Sequence, residues 1–475
     1  MKESISEKIK TCFPGLAMYK RPDDQNLFGG RKLPSFVRDY LLRRFRHDEE
    51  IDKDGLTLFL DKIIPAKSES VKDRLASNEE LTVLARFTVN INLVKGIRQF
   101  AIPDMGIKYN EALIPQRLVK NHPGELDEGE KWGILKLCVL PDANGKNQHV
   151  EMIDYKPFKP FTSVDLSIWR AARNNFSFDE WLDLLISAMD YNPDAFPSRQ
   201  TKLEMLTRLL IFAEPQLNVI ELAPKGTGKS YVFGNLSKYG WLVSGGKVTR
   251  AKLFYDKQTQ QNGIIKNHDF VAFDEIQTIV FQEPAEIQAA LKAYLESGKT
   301  TIDNFELSSS CGLMLMGNIN LTESRRPVSS FYFANLPQTF RESALLDRFH
   351  CFINGWLIPR INKSMICHGW TINTEYFSEI LHALRTENAY AALFDQLIDY
   401  QPDADLRDFK AVKKIASAYL KLLFPHWTST ENVQLNDFNQ YCLQPAIERR
   451  GIIKKQCSII DPEFKPAMPR ITCKL

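Results

Sequence analysis

An apolar run, Leu217-Asn218-Val219-Ile220-Glu221-Leu222, breaks into Ala223-Pro224-Lys225-Gly226-Thr227-Gly228-Lys229-Ser230 and then into a stretch that reads as helix. A second buried-strand run, Phe270-Val271-Ala272-Phe273, ends in Asp274-Glu275, 45 residues after Lys229. Between about 201 and 358 helix and strand alternate, and the last strands are read at 313–316 and 349–352. That alternation predicts an α/β fold, a parallel sheet with helices on both faces.

Strand, glycine-rich turn, Lys-Ser and helix together have the layout of a phosphate-binding loop. In Pro224, Lys225, Gly226, Thr227, Gly228, Lys229 and Ser230, backbone N–H groups would cradle phosphate oxygens. Lys229 would neutralise the terminal phosphates and Ser230 would ligate Mg²⁺. The loop's usual first glycine is Ala223 here, and an ordinary glycine-rich turn is the competing reading. In a parallel sheet the ligand crevice lies at the carboxyl ends of the strands, where Asp274 and Glu275 emerge. Asp274 would hold Mg²⁺ through its water shell, and Glu275 would orient and deprotonate the attacking water. The alternative for the acidic pair is the bias of a helix N-terminus.

Three further residues extend this set. Asn318 follows a buried strand in Met316-Gly317-Asn318, where an amide can contact both the attacking water and the terminal phosphate. A turn-forming asparagine is its bland counterpart. Arg348, just before the last strand, is either a surface arginine paired with Asp347 or Glu342, or a group presented to a neighbour's nucleotide in a ring. The second assignment implies more than one subunit. Arg407 opens an expected lid helix in Asp405-Leu406-Arg407 and is a candidate for touching the nucleotide. ATP and Mg²⁺ are the expected cofactors.

Composition narrows the rest. The chain has 475 residues, room for roughly two to four domains. Its net charge is only +3, so any nucleic-acid binding must come from local patches. No apolar run approaches the ~20 residues that span a bilayer. Met1-Lys2-Glu3-Ser4 lacks the pattern of a secretory signal. A cytoplasmic protein with no membrane partner is expected. The eight cysteines form no Cys-x-x-Cys pair, and Cys367-His368 is the one adjacent soft pair, so neither zinc nor redox chemistry is indicated.

Four domains are expected: an N-terminal α+β domain over 1–160, a helical connector over 161–200, the nucleotide-binding core over 201–358, and a helical lid with tail over 359–475. In the first, 36–46 has helical spacing, 83–91 alternates as a strand, and 132–140 with 150–155 flank a Pro141-Asp142-Ala143-Asn144-Gly145 turn. Arg43, Arg44 and Arg46 are either a polyanion surface or a solvated face. Amphipathic stretches at 178–186, 375–384 and 409–423 predict helices in the connector and lid.

With these motifs in place the chain resembles the AAA+ ATPases, and within them the BrxL family, the Lon-like proteins of BREX bacteriophage-defence systems. The resemblance rests on Pro224-Lys225-Gly226-Thr227-Gly228-Lys229-Ser230-Tyr231, Val243-Ser244-Gly245-Gly246-Lys247-Val248-Thr249 and Ala251-Lys252-Leu253-Phe254-Tyr255. It continues through Val271-Ala272-Phe273-Asp274-Glu275, Gly317-Asn318-Ile319-Asn320 and Ala344-Leu345-Leu346-Asp347-Arg348-Phe349-His350. It implies an AAA+ P-loop core with a helical lid, a hexameric ring able to encircle DNA, and other BREX proteins as partners. Longer family members carry a C-terminal Lon-type protease domain. Too little sequence follows the lid here for that domain, and peptide cleavage is not expected of this chain.

By analogy with related rings, two places would face a central channel: Gly298-Lys299-Thr300-Thr301, read as a hairpin, and Gly245-Gly246-Lys247 with Arg250 behind it. Lysines on such loops suit sequence-independent phosphate contact, and ordinary exposed lysines are the alternative. Three functions therefore compete: a DNA-associated ring ATPase, an ATP-dependent protein-remodelling factor, and a nucleotide-gated scaffold.

Overall fold

The computed structural model describes residues 3–31, 33–47, 50–64, 69–92, 96–141, 148–161, 163–257, 261–401 and 405–474. It divides into two compact units, residues 23–162 and residues 1–22 with 163–475. The first 22 residues thus pack with the larger unit, not with the N-terminal domain expected to begin at residue 1. The strand Ala17–Lys20 pairs antiparallel with Gly369–Ile372, far along the chain, a pairing that no local pattern announces.

The smaller unit is built on a closed five-stranded barrel. Around it run Leu81–Asn92, Ile97–Ala101, Ala112–Ile114, Gln148–Pro157 and Gly129–Pro141. Neighbours are antiparallel except Ala112–Ile114 with Gln148–Pro157, which are parallel. Closure removes the exposed sheet edge that a strand set this small would otherwise present. Leu81, Val83, Ala85, Phe87 and Val89 all point inward, the period-two signature that made 83–91 readable as a strand. The expected pair 132–140 and 150–155 is found in register, Val139 opposite Val150; the tip of its turn, 142–147, lies outside the described residues. The helix expected at 36–46 spans Ser35–Phe45. Arg46 pairs with Asp24 at 2.9 Å, and the guanidinium groups of Arg43 and Arg44 lie over the rings of Phe161 and Phe59.

The larger unit centres on a five-stranded parallel sheet: β1 Val219–Ala223, β2 Gly240–Ser244, β3 Phe270–Asp274, β4 Gly312–Asn318 and β5 Cys351–Asn354, in the order β2-β3-β4-β1-β5. Every residue of β1 and β3 is buried, which explains continuous apolar runs in place of alternation. Register aligns Ser244 with Asp274, Asn318 with Ala223, and Leu222 with Asn354. The carboxyl ends of the strands therefore lie along one edge. Helix α1, Lys229–Asn235, follows β1, and α2, Pro284–Ser297, lies between β3 and β4. The apolar face of α2 (Ile287, Ala290, Leu291, Tyr294) joins the same core as Phe273, Leu315 and Phe352.

Beyond β5 the chain is mainly helical, with α3 spanning Leu406–Leu423 and α4 Gln444–Ile460. These helices pack back toward the sheet. Arg449 of α4 donates to the Phe352 carbonyl of β5. Trp181, in the helix Phe178–Ala188, donates its indole N–H to the Leu422 carbonyl of α3. The connector is thus bonded to α3, and α4 packs on the sheet, its Ile453 and Cys457 joining the sheet's core. The physical cause is the amount of apolar surface on α3, where Ala411, Val412, Ile415 and Leu422 are all buried and cover what a detached helix would expose.

Candidate nucleotide site

β1 delivers the chain to Ala223 fully buried, with no left-handed backbone there. Alanine therefore fits where the loop motif has its first glycine, and its side chain packs against Gly355, where any Cβ would come within 2.3 Å of it. The two glycines that follow are required: Gly226 and Gly228 have φ of +81° and +77°, a region that L side chains avoid. Gly228 caps α1 and turns the chain so that Lys229 and Ser230 open the helix.

Four of the sequence-predicted residues meet at this turn. The Lys229 ammonium donates to the carbonyls of Ala223 and Pro224, both at 3.3 Å, and lies 3.4 Å from Oδ1 of Asn318. Burial lowers its pKa, with the nearby Glu221 opposing and Arg208 assisting; a cation held this dry is stabilised by an anionic ligand. Ser230 Oγ donates to Asp274 Oδ2 at 2.5 Å, and Asp274 Oδ1 accepts the Glu275 N–H at 2.9 Å. A hydroxyl beside a carboxylate is a hard-oxygen donor set that fits Mg²⁺. Among the described residues there is no cluster of three or more His, Cys, Asp or Glu groups suited to hold a metal by themselves. Glu275 has φ of +47°, a strained backbone for glutamate that throws its exposed side chain off the end of β3. Gln277 ties the neighbouring strand end by donating to the Asn318 carbonyl at 3.0 Å.

The loop is gripped from both sides by residues the sequence did not single out. Arg208, fully buried, is bidentate to Glu221 of β1 at 3.0 and 2.6 Å, and donates to the Thr227 carbonyl at 2.8 Å. From the other side, the Ile361 N–H donates to the Gly226 carbonyl at 2.8 Å and Arg360 Nε to the Lys225 carbonyl at 3.3 Å. A pocket of about 440 Å³ opens beside Pro224 and Lys225, lined also by Asn318, Asn320, Arg325 and Arg360. A glutamate inside an otherwise apolar strand, Glu221, was the signal that could have revealed the buried pair, since a charge there demands a partner.

Arg348 and Arg407 are not at the turn. Arg348 precedes β5, and its carbonyl accepts from Asn218 at the amino end of β1. Its side chain pairs with Glu296 at 3.1 Å, neither Asp347 nor Glu342 being its partner. Arg407 donates to Asp347 at 2.6 Å and to Glu296 at 2.9 Å. Arg407, the candidate for touching a nucleotide, is therefore set apart from the turn of its own chain, held by Asp347 and Glu296 near the amino end of β5.

The candidate channel loops also diverge from expectation in part. Lys299–Ile302 and Phe305–Ser308 form the expected hairpin. Lys299 stands at its base and Asp303 at its tip, where φ is +51°. Arg250 is ion-paired to Glu286 at 3.1 Å and to Asp303 at 3.6 Å. Lys247 and Lys299 are exposed. Among the described residues no helix is long and apolar enough to cross a membrane.

Comparison with known proteins agrees with this geometry. A family model described as "Lon-like protease BrxL-like, ATPase domain" matches residues 150–470, and one for the "BREX system Lon protease-like protein BrxL N-terminal" matches residues 11–138. The "Lon-like protease BrxL" of Escherichia coli O9:H4 (strain HS) is 29% identical over 435 residues, which are 90% of this chain and 61% of that protein. Its namesake from Bacillus cereus (strain H3081.97) is 29% identical over 433 residues, 89% of this chain and 63% of the relative. "Uncharacterized protein ORF426" of Acidianus filamentous virus 1 (isolate United States/Yellowstone) is 23% identical over 324 residues, 62% of this chain and 75% of that one. The chain spans about three fifths of the length of the two BrxL relatives. Loop, acidic strand end and extent of match lead to one conclusion: the chain belongs to the BrxL family of BREX systems and carries that family's ATPase domain.

Proposed function

We propose that this chain binds ATP with Mg²⁺ and hydrolyses it as one subunit of an AAA+ ring that acts on DNA in BREX defence. One observation carries the reading: Lys229, Ser230, Asp274 and Asn318 converge at the carboxyl edge of the sheet, while Arg348 lies at the opposite edge. The sheet order, with β1 between β4 and β5, supports an AAA+ core. Mg²⁺ would supply charge neutralisation at the phosphates when bound, held by Ser230 and by Asp274. Lys229 holds the terminal phosphate, Asn318 positions it against the attacking water, and Glu275 takes the proton from that water. Arg348 completes the charge stabilisation in the neighbour's site, which makes assembly a condition of activity. The smaller unit's closed five-stranded barrel, with its one parallel pair, has the strand order of barrels that hold oligonucleotides elsewhere, a fold-level analogy in favour of DNA.

A second reading, remodelling of a protein partner, is favoured by the hairpin. Asp303 at its tip and Glu306 beside it are exposed and would repel phosphates, leaving Lys247 and Lys299 as the available cations. ATPase rate with and without duplex DNA, for the wild type and for Lys229→Ala and Glu275→Gln, decides between them. A DNA-stimulated rate that falls steeply with salt and vanishes in both variants is expected. A rate indifferent to DNA but raised by a protein of the same defence system selects the second reading, and equal rates in wild type and Glu275→Gln would select a scaffold.

A further inference from the structure

Arg348 and Arg407 come from separate segments and converge on one atom. Oε2 of Glu296, the penultimate residue of α2, lies 3.1 Å from Arg348 Nε and 2.9 Å from a terminal nitrogen of Arg407. The remaining bonds are few. Arg348 donates to the Ala344 carbonyl, and Arg407 donates to Asp347, which must also satisfy Arg450. The Nε of each arginine is buried and has no well-aligned hydrogen bond among the described residues. Two guanidinium groups thus share a single carboxylate oxygen, and that carboxylate is 42% exposed. The cluster holds more donors than acceptors, and a phosphate, with three oxygens to offer, would satisfy it better than Glu296 does.

That phosphate cannot belong to the same chain. The Arg348 carbonyl is bonded to Asn218, at the amino end of β1, whereas the phosphate turn begins after Ala223. At ~3.3 Å per residue the two ends of that strand are on the order of 17 Å apart, more than an arginine side chain spans. Arg407, tied to Asp347, is at the same remote edge.

Glu296 is also the last acidic residue before the hairpin. Gly298 ends α2 with φ of +72°, and Lys299 opens the hairpin. The hairpin base is fastened by the Ser309 N–H to the Gly298 carbonyl at 3.0 Å and by Gln216 to the Ser309 carbonyl at 3.0 Å. Any load on the hairpin is therefore transmitted through one short turn to the carboxylate.

We propose that Glu296 is a resting counter-ion for a two-arginine set, Arg348 with Arg407, that serves the nucleotide on the neighbouring copy of this chain, and that α2 with its hairpin controls its release. The inference rests on the ATPase ring proposed above. It adds Arg407 as a second group acting across the subunit boundary and Glu296 as the gate on both. Engagement of the hairpin tilts the end of α2, Oε2 leaves the arginines, and the neighbour's terminal phosphate takes its place. No bond of the protein is made or broken.

Mixed assemblies test the assignment. Arg407→Ala subunits keep an intact turn and cannot donate Arg407; Glu275→Gln subunits donate Arg407 and have no base. Each alone should be inactive at unchanged assembly size. Mixed in equal amounts, about one site in four pairs an intact turn with a donating neighbour, so ATPase activity should recover to about that fraction of wild type. If Arg407→Ala fails to assemble, Arg407→Lys, which keeps a charge on Asp347 but not the fork, replaces it. Glu296→Gln should raise the basal rate several-fold and abolish further stimulation by the substrate. No recovery in intact mixed assemblies overturns Arg407 in trans, and an unchanged basal rate in Glu296→Gln overturns the gate. An inactive wild-type assembly would instead remove the ATPase reading on which both depend.

Discussion

At the scale of the residue, the buried ion pair Arg208–Glu221 decides how firmly the glycine-rich turn is held. Both side chains have no exposure, and three of the guanidinium's bonds end on Glu221 and the Thr227 carbonyl. Removing one partner leaves the other as an unpaired charge in the core. Arg208→Met is therefore expected to cost about 3–5 kcal/mol of stability, measured by urea unfolding. The double variant Arg208→Met/Glu221→Leu should recover most of that loss, because an apolar pair of similar volume avoids the desolvation of both ions. Its nucleotide affinity should stay depressed, since the Thr227 carbonyl then loses the guanidinium that anchors it. Full affinity in the stable double variant would show that the pair serves folding alone.

At the scale of the element, the strand–turn–helix unit works because two residues of the turn adopt a backbone that only glycine takes at little strain. Gly228 is the more constrained: besides its φ of +77°, a Cβ there would come 2.4 Å from the Tyr191 hydroxyl and 3.2 Å from Ile361. Gly228→Ala is expected to reduce binding of a fluorescent ATP analogue by at least tenfold, with a stability loss of about 1–3 kcal/mol from strain and overpacking. Ala223→Gly should do neither to that extent, since position 223 is a strand residue with no left-handed backbone. An Ala223→Gly variant that bound the analogue much more tightly than its parent would contradict this account of the alanine.

At the scale of the whole molecule, two histidines are held neutral by the fold. His350 is partly buried, its ring nitrogen accepts the Asn218 N–H at 3.0 Å, and burial of the ring, with Lys414 and Arg450, places its pKa well below the ordinary 6.5. His426 is pushed down to about 4 by burial and then by Arg173. The unfolded chain takes up these protons below about pH 6.5 while the folded chain does not, so it binds more protons between about 6.5 and 4. Stability should be fully present above pH 6.5 and fall as the pH drops through that window. The melting temperature of the wild type should decline more steeply there than that of His426→Asn, and parallel declines would mean that His426 is not held neutral.

Much of the site was legible because its chemistry is local. A turn with glycines at two positions, a lysine and a hydroxyl needs eight adjacent residues, and Asp274 with Asn318 mark the ends of strands whose apolar runs betray burial. The hairpin at Lys299 and the barrel strand over Leu81–Asn92 were readable for the same reason, since glycine punctuation and side-chain alternation are short-range. What the sequence by itself determined is therefore the α/β core, its glycine-rich turn and the acids beside it. Only the tertiary structure decided which charges meet: Arg208 with Glu221, Arg407 with Glu296 and Asp347, and Lys20 with Asp190 across 170 residues. It also closed the barrel and paired Ala17–Lys20 with Gly369–Ile372. Ion pairs and strand pairings between distant segments depend on how helices and sheets pack, and packing is a property of summed apolar surfaces that no window of adjacent residues contains.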